Sequence, residues 1–172
     1  ELTDTGIQWL FVNDDIGIVR ILSITSATQA QAQVLRPLTK AVVDHPTYRW
    51  SEGAWSARYG YPSALEIHDQ RLVAAASPSE PRTLWFSASG DFADFLDGTE
   101  ADEPFVYTVA GSGSVNRINS IHSGRAGLHI FALGEEFSTR SESRSVVIGP
   151  TTAVFSRDSA IGSSAAEPIS PS

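Results

Sequence analysis

The chain has 172 residues, 41% of them hydrophobic, and carries 12 basic against 20 acidic side chains for a net charge of −8. That length can bury a real core, while the acidity makes it a poor candidate for gripping nucleic-acid phosphates. Cysteine is absent, which excludes disulfides and thiolate metal sites, and no apolar run approaches the ~20 residues that cross a bilayer as a helix.

Ile7 to Val12 is a short apolar run ending at the turn signal Asn13-Asp14-Asp15. Gly17 to Thr25 is rich in β-branched residues and partly alternating, so it reads as a strand. After a turn at Ser26-Ala27-Thr28, Gln29 to Leu35 alternates polar and small apolar residues and is expected to return against it, ended by Arg36-Pro37. A helix is the alternative there, since Ala and Gln favour helices. Residues 1–49 are thus expected as a small β module, and Tyr48 to Trp55 as an aromatic connector.

Leu65 and Ile67 alternate with Glu66 and His68, and Leu72-Val73-Ala74-Ala75-Ala76 follows Asp69-Gln70. This predicts a hairpin whose second strand is buried on both faces. Further short strands are expected at 83–87, 105–109, 118–121, 128–132, 137–139, 146–148 and 153–155. Short strands split by Gly, Ser and Asp clusters predict an all-β protein with short antiparallel strands. Helical turns are alternatives at 88–96, where Asp91 stands near the start, and at 115–121, where Val115, Ile118 and Ile121 recur at threes. The expected organisation is a β module over 1–49, a larger β domain over 50–160, and an extended tail over 161–172. The chain has no methionine, and Glu1-Leu2-Thr3-Asp4 lacks the basic start of a signal peptide, so a processed chain or an excerpt of a longer one is expected.

Nothing in the sequence selects a catalytic constellation. Gly111-Ser112-Gly113 is shorter than the five-residue nucleophile elbow and lacks the ending of a phosphate loop. His122 and His129 flank a hairpin turn at 123–127 and would face each other across a ladder. A metal held by such a pair would need an added carboxylate, and polar strand residues are the commoner explanation. His68 reads as structural, at a hairpin corner. The run Asp91, Asp94, Asp97, Glu100, Asp102 and Glu103 is dense enough in carboxylates to suggest calcium, but its spacing does not fit the twelve-residue calcium loop. Residues 51–110 hold ten acidic and three basic side chains, so 10 − 3 leaves −7 of the total in that stretch. A solvated acidic loop is the simpler reading. No cofactor and no metal are expected.

One block resembles a known family. Gly53-Ala54-Trp55, Gly60-Tyr61-Pro62, Gln70-Arg71-Leu72, Pro81 with Thr83, Trp85 and Ser87, and Gly90-Asp91-Phe92 with Phe95 stand in this order. They are similar to a pattern of the tail tubular, or nozzle, proteins of short-tailed bacteriophages. Asp102, Tyr107, Gly134 to Phe137, Ile148 to Thr151 and Gly162-Ser163 extend the likeness more loosely. Ala74-Ala75-Ala76 departs from it, standing where an aromatic-and-glycine strand end is expected. The resemblance implies a partial β-propeller-like platform in a virion, one subunit of a homo-hexameric ring that contacts adaptor and fibre proteins. DNA would pass through its channel without specific binding, and no enzyme activity is implied. On that reading Asp91, Asp94, Asp97, Glu100, Asp102 and Glu103 are candidates for a lumen or interface, since wall carboxylates repel phosphate. Trp50, Trp55, Tyr59 and Tyr61 are candidate interface anchors. A carbohydrate-binding module and a polysaccharide-hydrolase fragment using two of the acidic residues are the alternatives.

Overall fold

A computed structural model of the chain describes residues 7–12, 15–38, 50–110, 116–141 and 148–163. Among them every regular element is a strand, and no helix is present to cross a membrane. The all-β expectation holds. The chain divides into two compact units, residues 1–61 and 62–172.

The first unit holds one antiparallel sheet in the order β3-β2-β1-β4. Its strands are β1 (Ile7–Val12), β2 (Asp15–Ser26), β3 (Gln29–Arg36) and β4 (Trp50–Glu52). The Gln/Ala segment is a strand, not a helix: Ile21 pairs with Ala32 and Ile24 with Ala30. Trp50-Ser51-Glu52, expected as part of a connector, instead pairs with Leu10-Trp9-Gln8 of β1. Three residues are too few to show a period, which is why pattern alone missed them. After β4, the Ser56 hydroxyl accepts hydrogen bonds from the amides of Arg58 (3.2 Å) and Tyr59 (3.1 Å). This side-chain turn carries the chain to Gly60.

The second unit holds two four-stranded antiparallel meanders in sequence order. One comprises β5 (Ala64–His68), β6 (Arg71–Ala75), β7 (Thr83–Phe86) and β8 (Phe105–Thr108). The other comprises β9 (Ile118–Gly124), β10 (Gly127–Ala132), β11 (Glu136–Ser141) and β12 (Ala153–Ser159). The β5–β6 turn has Asp69 at φ 50° and Gln70 at φ 65°, the doubly left-handed pair that matches strand twist in two-residue hairpins. Ala76, in the stretch that departs from the nozzle pattern, also lies at positive φ, 60°. The 88–96 segment forms turns and bridges, and Ile118 to Ile121 belong to β9. Expected strand residues 146 and 147 lie outside the described residues.

The core follows from strand period. Val73, Phe86 and Phe105 are register partners across β6, β7 and β8, and Ile121, Ile130 and Phe137 across β9, β10 and β11. All six are buried in one cluster. Phe86 stacks on Phe105 at 4.2 Å between centroids and meets Phe155 of β12 edge-on at 6.3 Å. The inner faces of the two meanders therefore share one core.

Candidate functional site

The centre of the second unit is a buried cation. Arg71 shares the inner face of β6 with Val73 and Ala75, and none of the three exposes surface. Among the described residues no carboxylate forms an ion pair with its guanidinium. Instead Nε donates to the Ile148 carbonyl at 2.8 Å, Nη1 to those of Ser87 and Glu103, and Nη2 to that of Ala101 at 2.6 Å. Four donated hydrogen bonds from one planar group fix three distant segments at once. The Phe105 ring lies beneath it, with Cζ 5.6 Å from the centroid. Burial lowers the Arg71 pKa, while the charges of Asp69 and Asp102 act to raise it. Asp69 also accepts the Ile148 amide at 2.7 Å, so the Ile148 residue is gripped through its N–H by Asp69 and its carbonyl by Arg71. Gly149 follows, packed so closely on Ala101 that a Cβ there would strike the Ala101 carbonyl.

Residues of the resemblance meet at this point. The Gly90 amide donates to the Gln70 carbonyl at 2.8 Å, and that of Ser87 to Leu72 at 2.9 Å. The Ser87 hydroxyl accepts the Leu72 amide (2.9 Å) and donates to the Ala88 carbonyl (2.9 Å). The Ser89 amide donates to the Asp102 carbonyl at 2.9 Å. Gly90 needs its lack of a side chain for another reason, a φ of 78°.

The acidic loop 87–104 is built on that anchor, and several of its carboxylates are engaged in shaping it. Asp91 accepts the Ala93 amide and Asp94 the Leu96 amide, both at 3.0 Å. Glu103 accepts those of Thr99 (2.7 Å) and Glu100 (2.9 Å), which lower its pKa. Asp91, Asp94, Asp97, Glu100 and Asp102 are exposed and Glu103 is half-buried. Among the described residues no three His, Asp or Glu side chains form a ready-made set of metal ligands. These carboxylates are turn acceptors and surface charge.

Beside the loop a groove of about 360 Å³ runs between Asp97, Tyr107, Pro150, Ala153 and Phe155. Although Asp97 is exposed, the groove walls around it remove enough hydration to raise its pKa. Tyr107 and Phe155 stack on one another at 3.4 Å between centroids, so one face of each ring is already covered. Of the candidate aromatics, Tyr61 is 64% and Trp50 41% exposed, the two with most area to offer a partner. Trp55 and Tyr59 are half-buried, with the Arg58 guanidinium 5.3 Å above the Tyr59 ring. Leu22, Val34 and Leu35 on β2 and β3 are also exposed, which was not anticipated from sequence because alternation alone does not say which face is covered. His122 and His129 do pair across the β9–β10 ladder, and His68 bonds to Ser123 at 2.8 Å. Gly111-Ser112-Gly113 lies outside the described residues.

Arg71 was legible only as part of a motif. Its two-residue spacing from Val73 and Ala75 is the signal that it points inward. Compared with known proteins, the chain matches no family model and no curated protein.

Proposed function

We propose that this chain is a non-enzymatic structural protein of a bacteriophage virion, a subunit of the tail nozzle ring through which the genome leaves. The observation that carries the reading is the convergence around Arg71. The residues similar to the nozzle pattern, Gln70-Arg71-Leu72, Ser87 and Gly90, form one hydrogen-bonded unit with the acidic loop. Such a unit gives that residue pattern a physical purpose: it holds a negatively charged loop in one shape without using the charges as ligands. Two sequential four-stranded meanders are also the unit from which propellers are built, which supports the propeller-like platform. A closed ring needs heterologous contacts, for which exposed Trp50 and Tyr61 on the first unit and Leu22, Val34 and Leu35 on β2–β3 supply apolar area.

The test is to image particles carrying a tagged copy of this chain. Label in a ring at the tail axis is expected, and particles that never contain the chain would refute the proposal. A second reading, a carbohydrate-binding module of a tail, is favoured by the groove holding Asp97 beside Tyr107 and Phe155. Sugar stacking needs an open ring face, and the mutual stacking of Tyr107 and Phe155 reduces what the groove offers. Binding on a glycan array that is lost in Asp97→Asn and Phe155→Ala would put this reading first.

A further inference from the structure

The seam between β5 and β9 brings together side chains that neither the Arg71 anchor nor the acidic loop uses. We propose that it binds one divalent zinc-class ion through His122 and His129, with Glu66 as the carboxylate that orients His122. The two histidines are direct register partners on β9 and β10, so their side chains leave the same face of the sheet from neighbouring strands. Glu66, on β5, places Oε2 3.7 Å from His122 Nδ1, with both side chains about a third exposed (28% and 36%). Metal-bound histidines characteristically give their second ring nitrogen to a carboxylate, which sets tautomer and orientation. With Glu66 at Nδ1, His122 coordinates through Nε2, the ion displacing whatever contact that atom makes in the metal-free chain.

His129 is positioned by the hairpin. Its ring lies over Gly124, where an added Cβ would come within 3.1 Å of both Cδ2 and Nε2. Gly124 therefore leaves the imidazole room to lie across β9, on the face that His122 shares. His68 is the third histidine of the seam. It is held by Ser123 at 2.8 Å and feels the charge of His129, and it remains on Ser123. No three ligands are preset among the described residues. The site is accordingly a two-imidazole one with an outer carboxylate, its remaining positions filled by water. Imidazole nitrogen suits zinc, copper and nickel rather than calcium or magnesium. Both ligands belong to one meander, so the bound ion clips β10 to β9, and Glu66 of the other meander reaches it only through His122.

The experiment is a calorimetric titration of the full chain with Zn²⁺, alongside thermal melts with and without the ion. One equivalent should bind and the melting temperature should rise. His122→Ala and His129→Ala should abolish both effects, and Glu66→Gln should weaken binding about 10-fold or more. Binding should also disappear in acid, because the ligands must be unprotonated. The absence of binding at millimolar zinc, or binding unchanged in the folded histidine variants, overturns the proposal. Where an alanine variant fails to fold, imidazole ¹⁵N shifts of the unmodified chain decide. Zinc-dependent movement at His122 and His129 supports the site, and movement elsewhere alone refutes it.

Discussion

Arg71 is the residue that joins three segments of the second unit. Its guanidinium supplies hydrogen bonds to the carbonyls of Ser87, Ala101, Glu103 and Ile148. Replacing it by Met would leave those acceptors short of donors in a buried place, at a cost of about 3 kcal/mol or more. Lys at 71 keeps the charge but not the fork, and should recover only part of that loss in a denaturant melt. Gly149→Ala should be destabilising through a different route, the collision with the Ala101 carbonyl. A second residue-scale prediction concerns His68, whose pKa lies below the ordinary 6.5, chiefly because it is buried; Asp69 and Glu66 oppose that shift and His129 adds to it. The folded state therefore binds this proton less readily than the unfolded chain. Stability should fall as pH drops from 6.5 toward the depressed folded value, and level off below it. His68→Gln should flatten that slope in melts recorded between pH 7 and 5; an unchanged slope would assign it to other groups.

Among the elements, the loop 87–104 makes the sharpest prediction. Glu103 holds the Thr99 and Glu100 amides, and its pKa is lowered by them. Its contribution is present above the ordinary carboxylate pKa and is lost as pH falls through the lower folded value. Glu103→Gln should accordingly speed amide exchange at Thr99 and Glu100 at neutral pH while leaving β7 and β8 protected. The strands on either side were readable from sequence because alternation and turn chemistry act locally. Asp69-Gln70 between two apolar runs specifies its hairpin, and the Arg125-Ala126 turn falls where 123–127 was expected. Long-range pairing was not readable. Strand β4 is defined by its ladder to β1, forty residues earlier in the chain, and nothing in Trp50-Ser51-Glu52 announces it. The same holds for the site. The acidic run was evident, but its use as turn acceptors depends on backbone amides that only the folded loop brings within reach. The direct opposition of His122 and His129 was foreseeable from the hairpin between them, whereas Glu66 arrives from another sheet.

For the whole molecule, charge and assembly are the quantities that matter. Five of the six acidic candidates of the loop are exposed, and the loop is held by Arg71 on the Ala101 and Glu103 carbonyls together with its own turn-accepting carboxylates. If this surface faces a channel, phosphate passing it is repelled and not retained. Replacing Asp94, Asp97 and Asp102 by Lys should then increase affinity for DNA and slow genome ejection, with a steep dependence on salt. Unchanged ejection and unchanged DNA affinity would place the loop away from the lumen. The ring itself is tested most directly by the mass of the native assembly, measured by light scattering on the purified chain and by imaging of the particle that contains it. A ring of several copies is the predicted result. A stable monomer absent from any particle would contradict the nozzle account.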